Sequence, residues 1–293
     1  MSVLHPVGVL LINLDTRGDR LSAMTRMLDA MGIACHRISA VDGRSVPQAD
    51  LACSRKTGPI GAMPDTTRAC TASHVKAWQH IVDTGLRHAL ILEDDAVLHP
   101  DVTALIADDG WIPAGVDLVK VEKFAPKRAS KILAGKVLAR TPAGQREVRR
   151  MYSRHTGSAG YIISRKGAEI ALSLSGSYDV PVDHLLFNET VSRLCGLLRP
   201  AIVVPPLVWQ DNSVGLGSDI KAPRLAENNA VRRKPFARLA LSLRRAANEV
   251  SLLHIQLFLL ATGRAQVVTL TTPQSRGRAL PGLWRKIWAS DSA

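Results

Sequence analysis

Glu93, Asp94 and Asp95 stand side by side at the end of the wholly apolar run Leu90-Ile91-Leu92. Three adjacent carboxylates repel one another unless a cation sits among them. Acids that close a buried strand also present hard oxygen ligands where α/β sheets gather theirs, outside the carboxyl ends of the strands. Alone, the segment reads either as a divalent-cation site or as an acidic loop solvated at a strand end. Other polar groups fall beside apolar runs too. Asn13, Asp15, Arg17 and Arg20 follow the first run, Asp42 follows the second, Ser73 and His74 precede the acidic strand within a helical pattern, and Asp183-His184 open a later helix.

The elements that must position these groups are legible as periodicity. Val7 to Leu14 is a continuous apolar run of strand length, suited to a strand buried on both faces. Thr16-x-x-Asp19 offers a helix start, and Leu21, Met24, Leu28 and Met31 recur at helical spacing until Gly32. Residues 34–41 read as a second strand, closed by the turn Asp42-Gly43, and the Pro- and Gly-rich stretch Arg44 to Asp65 reads as a loop. From Thr71 a helix carries Val75, Trp78 and Val82 on one stripe and stops at Gly85, just before the acidic strand. Further strands are expected at Asp117–Val121 and Gly157–Ile163, with Lys120 to Arg150 a basic loop or hairpin facing an anionic ligand. Helices are expected over Arg165–Leu174 and from Asp183 through Val191. Gly157 and Gly160 mark either close backbone approach to a ligand or a bulge.

The strand–helix alternation predicts an α/β fold with a Rossmann-type, mostly parallel sheet flanked by helices. The G-x-G-x-x-G fingerprint is absent after the first strand, which argues against NAD or FAD and leaves other nucleotides open. The end of that strand, with Asp15 and Arg20, is then where a nucleotide rests, Arg20 reaching a phosphate; both are equally suited to be helix-start surface charges.

The net charge of +13 over 293 residues implies an anionic partner, and its distribution discriminates among nucleic acid, phospholipid and phosphorylated substrate. The charge lies in the 120–150 stretch and the tail, aromatic residues are only 4%, and no nucleic-acid-binding motif is present, so no specific nucleic-acid partner is expected. Cys35, Cys53, Cys70 and Cys195 form no C-x-x-C pair and match no histidine cluster, which predicts reduced thiols, a cytoplasmic location and neither a zinc site nor a disulfide framework. No signal peptide is recognisable, and no run approaches the ~20 apolar residues of a transmembrane helix. Residues 1–225 read as one domain and 226–293 as a basic, partly amphipathic helical extension. In that extension Leu252–Leu260 is apolar enough to lie in an interface, and Trp284 and Trp288 flank Arg285 and Lys286. The tail reads as a peripheral anchor on an anionic membrane, a partner-docking helix or a plain basic C-terminus.

Seven stretches in order resemble glycosyltransferase family 25, the lipopolysaccharide and lipooligosaccharide enzymes related to collagen β-galactosyltransferases. They are Ile12-Asn-Leu-Asp15 with Asp19-Arg20, Ala40-Val-Asp-Gly43, Ala69-Cys-Thr-Ala-Ser-His74 with Trp78, Leu90 to Leu98, Gly157 to Ser164, Pro181-Val-Asp-His184, and Pro206-Leu-Val-Trp-Gln210. The segment from Ile60 to Cys70 departs from the pattern, being longer and having Ala69 where a glycine is usual.

The resemblance implies a GT-A-like fold and a Mn2+ (or Mg2+) ion at the acidic motif. It implies inverting transfer of a hexose, commonly galactose, from a UDP-sugar donor to a glycan. The acceptor would be a lipopolysaccharide core or lipid-linked oligosaccharide at the inner face of the cytoplasmic membrane. By the same analogy Asp95 is the principal metal ligand, Glu93 a second ligand or ribose contact, and Asp94 a substrate contact. Asp183 is the general base or a helix cap, and His184 its neighbour in the site or a structural residue. Asn13, Asp15, Arg20 and Asp42 are donor contacts, Ser73 and His74 donor or acceptor contacts or core, and Gly157 and Gly160 sugar-facing backbone. Gln210 is a phosphate or sugar contact where many GT-A proteins place a metal-binding histidine. A metal-dependent nucleotidyl or phosphoryl transferase using the same carboxylates is the rival chemistry, without a P-loop signature to support it.

Overall fold

The computed structural model describes residues 6–124, 128–144, 146–210 and 235–272. The first apolar run forms strand β1 (Val7–Asn13), whose side chains alternate between two cores. Leu10 and Ile12 face one, with Trp78, Tyr161 and Phe187, while Val7, Val9 and Leu11 face the other, with Met24, Met27 and Trp111. Burial on both faces is why this strand shows no polar alternation.

After helix α1 (Gly18–Ala30), β2 (His36–Ser39) pairs in parallel with β1. The stretch expected as loop is partly ordered, with a 3-10 turn at Gln48–Leu51 and a small hairpin of β3 (Thr57–Gly58) and β4 (Gly61–Ala62). Helix α2 (Asp65–Thr84) begins six residues before the expected Thr71. The buried Arg68 explains the early start, because its guanidinium donates to the carbonyls of Leu51 (2.8 Å) and Ser54 (3.2 Å) and ties the first turn to the preceding loop.

The acidic strand β5 (His88–Glu93) lies parallel to β1 with Ile12 opposite Glu93. Next come β6 (Ala96–Leu98), α3 (Val102–Ala107), β7 (Leu118–Lys120) and β8 (Glu122–Lys123). Of the two alternatives for the basic 120–150 stretch, the hairpin is the one that forms, and it is part of the sheet. The larger part of the stretch is an antiparallel pair, β9 (Ser130–Arg140) and β10 (Glu147–Met151), built into the sheet. Beyond them follow β11 (Gly160–Ser164), α4 (Arg165–Ser173), α5 (Val182–Phe187), α6 (Arg193–Leu198), β12 (Ala201–Val204) and β13 (Val208–Gln210).

The helices Pro235–Ser251 and Leu253–Ala261 are as helical as expected, but the chain then returns as strand β14 (Ala265–Leu270) antiparallel to β9. The expected boundary near residue 225 therefore does not separate the sheet from the tail. The basic residues at 232–234 and the segment holding Trp284 and Trp288 lie outside the described residues.

The main sheet runs β14-β9-β10-β12-β7-β11-β5-β1-β2. It is parallel across β5-β1-β2, where the acids lie, and at β7-β12, and antiparallel elsewhere. Members of α2, α4 and α5 cover one face and α1 and α3 the other. A separate three-stranded sheet, β6-β13-β8, sets Gln210 opposite Ala96, one residue from Asp95.

Candidate active site

The carboxyl ends of β1, β2 and β5 open on one cavity of about 850 Å3 counted out to its mouth. Its wall includes Asn13, Arg20, the 40–44 loop, Glu93, Asp94, Asp95 and Gln210. One stripe of α2 completes it with Thr66, Cys70, Ser73 and His74, spaced as one helical face. Gly43 lets the loop lie against the start of α2, since a Cβ there would fall 2.5 Å from the Asp65 carbonyl oxygen.

The three acids are not equivalent. Asp94 accepts from Asn13 Nδ2 and from Arg20 Nη1, each at 2.8 Å, so both of its oxygens are occupied by protein donors. It anchors α1 to the end of β5 rather than presenting ligand atoms. Glu93 accepts from Ser158 Oγ at 2.5 Å and faces His74 Nε2 at 3.4 Å. Burial would raise its pKa, but the imidazole and the hydroxyl outweigh that and hold the carboxyl below its ordinary value. Asp95 receives only a long contact from Gln210 Nε2, 3.3 Å, among the described residues. Burial, with Glu93 and Asp94 beside it, pushes Asp95 up to about 7. A hard, oxygen-rich donor set with one under-compensated carboxylate fits a divalent cation held by Asp95 and Glu93.

Several expected contacts are placed elsewhere. Asp15 is turned outward with its side chain 69% exposed, paired with Arg37 and Ser39, and lies outside the cavity wall. Asp42 lines the cavity and pairs with Arg44 at 2.8 Å. Ser73 is buried and accepts from the Val41 backbone N–H at 2.9 Å, which fixes the loop. His74 is fully buried, its Nδ1 2.8 Å from Tyr161 Oη, which also accepts from Trp78 Nε1 at 3.0 Å. That chain orients the ring, so His74 belongs to the wall rather than to the solvent-facing contacts. His184 is buried against Asn188 at 2.9 Å, away from the cavity. Gly160 serves packing, since a Cβ there would meet Val208 at 2.8 Å.

Asp183 is not in the wall of this cavity. Its Oδ1 accepts from the His184 N–H at 2.9 Å and its Oδ2 from the Gly157 N–H at 3.4 Å. Gly157 has φ +97°, and its carbonyl accepts from Lys120. The sequence reading missed the pair of Lys120 and Glu122, both with fully buried side chains and 3.0 Å apart. The Glu122 carboxylate lies where a Cβ on Gly157 would be, 2.5 Å from Oε1. Burial, aided by Glu93 and Asp183, pushes Glu122 up to about 7 in spite of Lys120. The reading also missed Cys70, whose Sγ sits within 4.8 Å of donor atoms of His74 and Glu93. The i,i+4 spacing of Cys70 and His74 was the available signal, hidden because the third partner comes from another element.

The family model described as "Glycosyltransferase family 25 (LPS biosynthesis protein)" matches residues 7–186, well over half of the chain and all three elements that end at the cavity. The chain belongs to glycosyltransferase family 25. Among curated relatives, the lacto-N-neotetraose biosynthesis glycosyltransferase LgtB of Neisseria meningitidis serogroup B (strain ATCC BAA-335 / MC58) is 29% identical over 187 residues, 57% of this chain and 64% of its own length. The lipooligosaccharide biosynthesis protein lex-1 of Haemophilus influenzae (strain ATCC 51907 / DSM 11121 / KW20 / Rd) is 25% identical over 57% of this chain and 58% of its own. Procollagen galactosyltransferase 1 of Danio rerio is 38% identical over 95 residues, 30% of this chain and 16% of its own. The matched part thus spans under two thirds of the length of these relatives. A solved glycosyltransferase involved in glycosylation of the PBCV-1 major capsid aligns over 75% of this chain and 98% of its own, with TM-score 0.39 and 10% identity.

Proposed function

We propose that this chain transfers a hexose, galactose in the first instance, from a UDP-sugar to a lipooligosaccharide- or lipopolysaccharide-type glycan, with inversion and with Mn2+ or Mg2+. The observation that carries the reading is the Asp95 carboxylate, buried beside two other acids at the mouth of a cavity and lacking a matching cation of its own. The names of the relatives, which concern lacto-N-neotetraose and lipooligosaccharide biosynthesis and procollagen galactosyl transfer, support the class of donor and acceptor.

Asp95 and Glu93 would hold the divalent cation, whose charge would offset the growing charge of a leaving diphosphate. The chain's own residues do the rest. Ser158 and His74 orient Glu93, and Asn13 and Arg20 fix the end of β5 through Asp94, so the Glu93 oxygens are held before substrate arrives. Arg20 and Arg44 bring positive charge to a wall that receives an anionic donor. Inversion needs a base on the face opposite the leaving group, and that role is assigned to Asp183, which lies outside the cavity wall yet near enough for its charge to act on the lining Cys70, with one carboxylate oxygen only loosely held by Gly157. We also assign the exposed apolar residues of the tail helix Leu253–Ala261 to association with an anionic membrane surface at the cytoplasmic side. No helix among the described residues is long and apolar enough to cross a membrane, yet Leu253, Ile255, Leu257, Phe258 and Leu260 of one tail helix are all exposed.

The test is UDP release from a panel of UDP-sugars with Mn2+ and a glycan acceptor. Galactose transfer that is abolished by chelation and lost in Asp95→Asn is expected. Release that is insensitive to both would sink the metal assignment, and no release from any UDP-sugar would sink the donor.

A further inference from the structure

Cys70 and His74 lie one turn apart on α2 and project from the same face. At the end of β5, Glu93 meets them. Cys70 Sγ, a ring nitrogen of His74 and a Glu93 carboxylate oxygen all lie within 4.8 Å of one another, a trio that shares Glu93 with the hard-oxygen end. His74 Nε2 is buried, makes no hydrogen bond, and has Glu93 Oε1 as a neighbour at 3.4 Å. The ring's other nitrogen is 2.8 Å from Tyr161 Oη, the kind of outer partner that holds a metal-binding imidazole in place. Cys70 and Glu93 are each half-buried and line the cavity, which gives an ion a way in.

We propose that Cys70, His74 and Glu93 form a second cation site, selective for a soft or borderline ion such as Zn2+, which competes with the hard ion for Glu93. A thiolate, an imidazole and a carboxylate are zinc ligands, whereas Mn2+ and Mg2+ favour oxygen alone. Coordination balances simply. The thiol proton leaves to solvent, Nε2 offers its lone pair, and the ring proton sits on Nδ1 and is donated to Tyr161 Oη. Three protein ligands leave a fourth position for water, as in sites open to exchange. Zinc that draws Glu93 into this trio takes a ligand from the hard ion, so zinc should inhibit a reaction that, on the proposed function, depends on that ion.

Cobalt is the probe, since a cysteine ligand produces a sulfur-to-cobalt charge-transfer band. Metal-free full-length protein titrated with Co2+ should develop that band, and Zn2+ should bleach it. Cys70→Ser and Cys70→Ala should abolish it, while Asp95→Asn should keep it. Zinc should raise the thermal midpoint of the wild type and not of the Cys70 variants, with circular dichroism showing that both remain folded. Zinc affinity should fall at least about tenfold in Cys70→Ser, the size of effect that loss of even an outer partner produces. No band in the wild type, or a band that survives both Cys70 substitutions, overturns the proposal. These readouts need no turnover, so they stand or fall separately from glycosyl transfer. Loss of zinc inhibition in Cys70→Ser, measured as a ratio to its own zinc-free rate, ties the two together.

Discussion

At the residue scale, Glu122 and Asp183 make opposite demands on an experiment. Glu122 is buried with its pKa raised to about 7, so below about pH 4.5 it is protonated in both the folded and the unfolded chain, and its contribution is fully present. As the pH rises towards 7 the unfolded chain releases this proton while the folded chain holds it, and stability falls. Glu122→Gln keeps an acceptor for Lys120 and should flatten the decline between pH 5 and pH 8, recovering about 1–3 kcal/mol at the upper end. Urea unfolding across that range checks it, and a variant whose slope matches the wild type would remove Glu122 as the cause. Asp183→Asn should leave UDP-sugar binding near normal while transfer drops by roughly 100-fold or more, the range of a lost general base. Single-turnover kinetics beside calorimetric donor binding separate the two effects.

At the scale of elements, the link between β11 and the end of β5 is the sensitive one. Gly157 presents its N–H to Asp183 and its carbonyl to Lys120, and its neighbour Ser158 donates to Glu93. One short backbone segment thus joins the proposed base to the proposed ligand. It adopts φ +97° with the Glu122 carboxylate in the space a Cβ needs. Gly157→Ala should lower stability by about 2 kcal/mol through the backbone conformation alone. It should also reduce turnover beyond what that loss explains, as a full-occupancy assay below the melting transition would show. Trp78 marks the other sensitive element, because it is fully buried and its N–H orients Tyr161 and through it His74. Its replacement by Phe keeps most of the packing and removes only that donor, so a fall in metal affinity larger than the fall in stability is expected.

At the scale of the molecule, the tail is part of the fold before it is an anchor. β14 pairs with β9 over six residue pairs from Ala265–Gly135 to Leu270–Ser130, and Leu270 is fully buried in the core. Deletion from residue 231 onward should therefore unmask the edge of β9 and promote association or aggregation. Deletion after residue 272 keeps this strand and should leave the thermal midpoint nearly unchanged. Light scattering and thermal unfolding of the two truncations discriminate these outcomes. Charged substitutions at Leu257 and Phe258 should weaken flotation with anionic vesicles while sparing turnover on a soluble acceptor. Unchanged flotation would count against the membrane reading.

Much of this organisation was legible in the chain alone. Uninterrupted apolar runs identified β1 and the acidic β5, helical stripes identified α1 and the body of α2, and the position of Glu93-Asp94-Asp95 at a strand end located the site. These are local patterns, set by backbone periodicity and by which residues can be buried. Which acid does what was not local. Asp94 meets Asn13 and Arg20 across 81 and 74 positions, and His74 meets Tyr161 across 87. Those partners turn Asp94 into an anchor, leave Asp95 under-compensated and make His74 part of the wall. Asp15 leaves the site for the same reason, captured by Arg37, whereas His184 is held locally by Asn188 four positions on. Lys120 and Glu122 gave no signal, because charged residues on either side of a strand end read as surface until packing encloses them. The sequence by itself determined where strands end and therefore where acids gather. Only the tertiary structure decided which of them stay charged, paired or free to take a cation, because those states depend on the solvent exclusion and the counter-charges that distant segments bring.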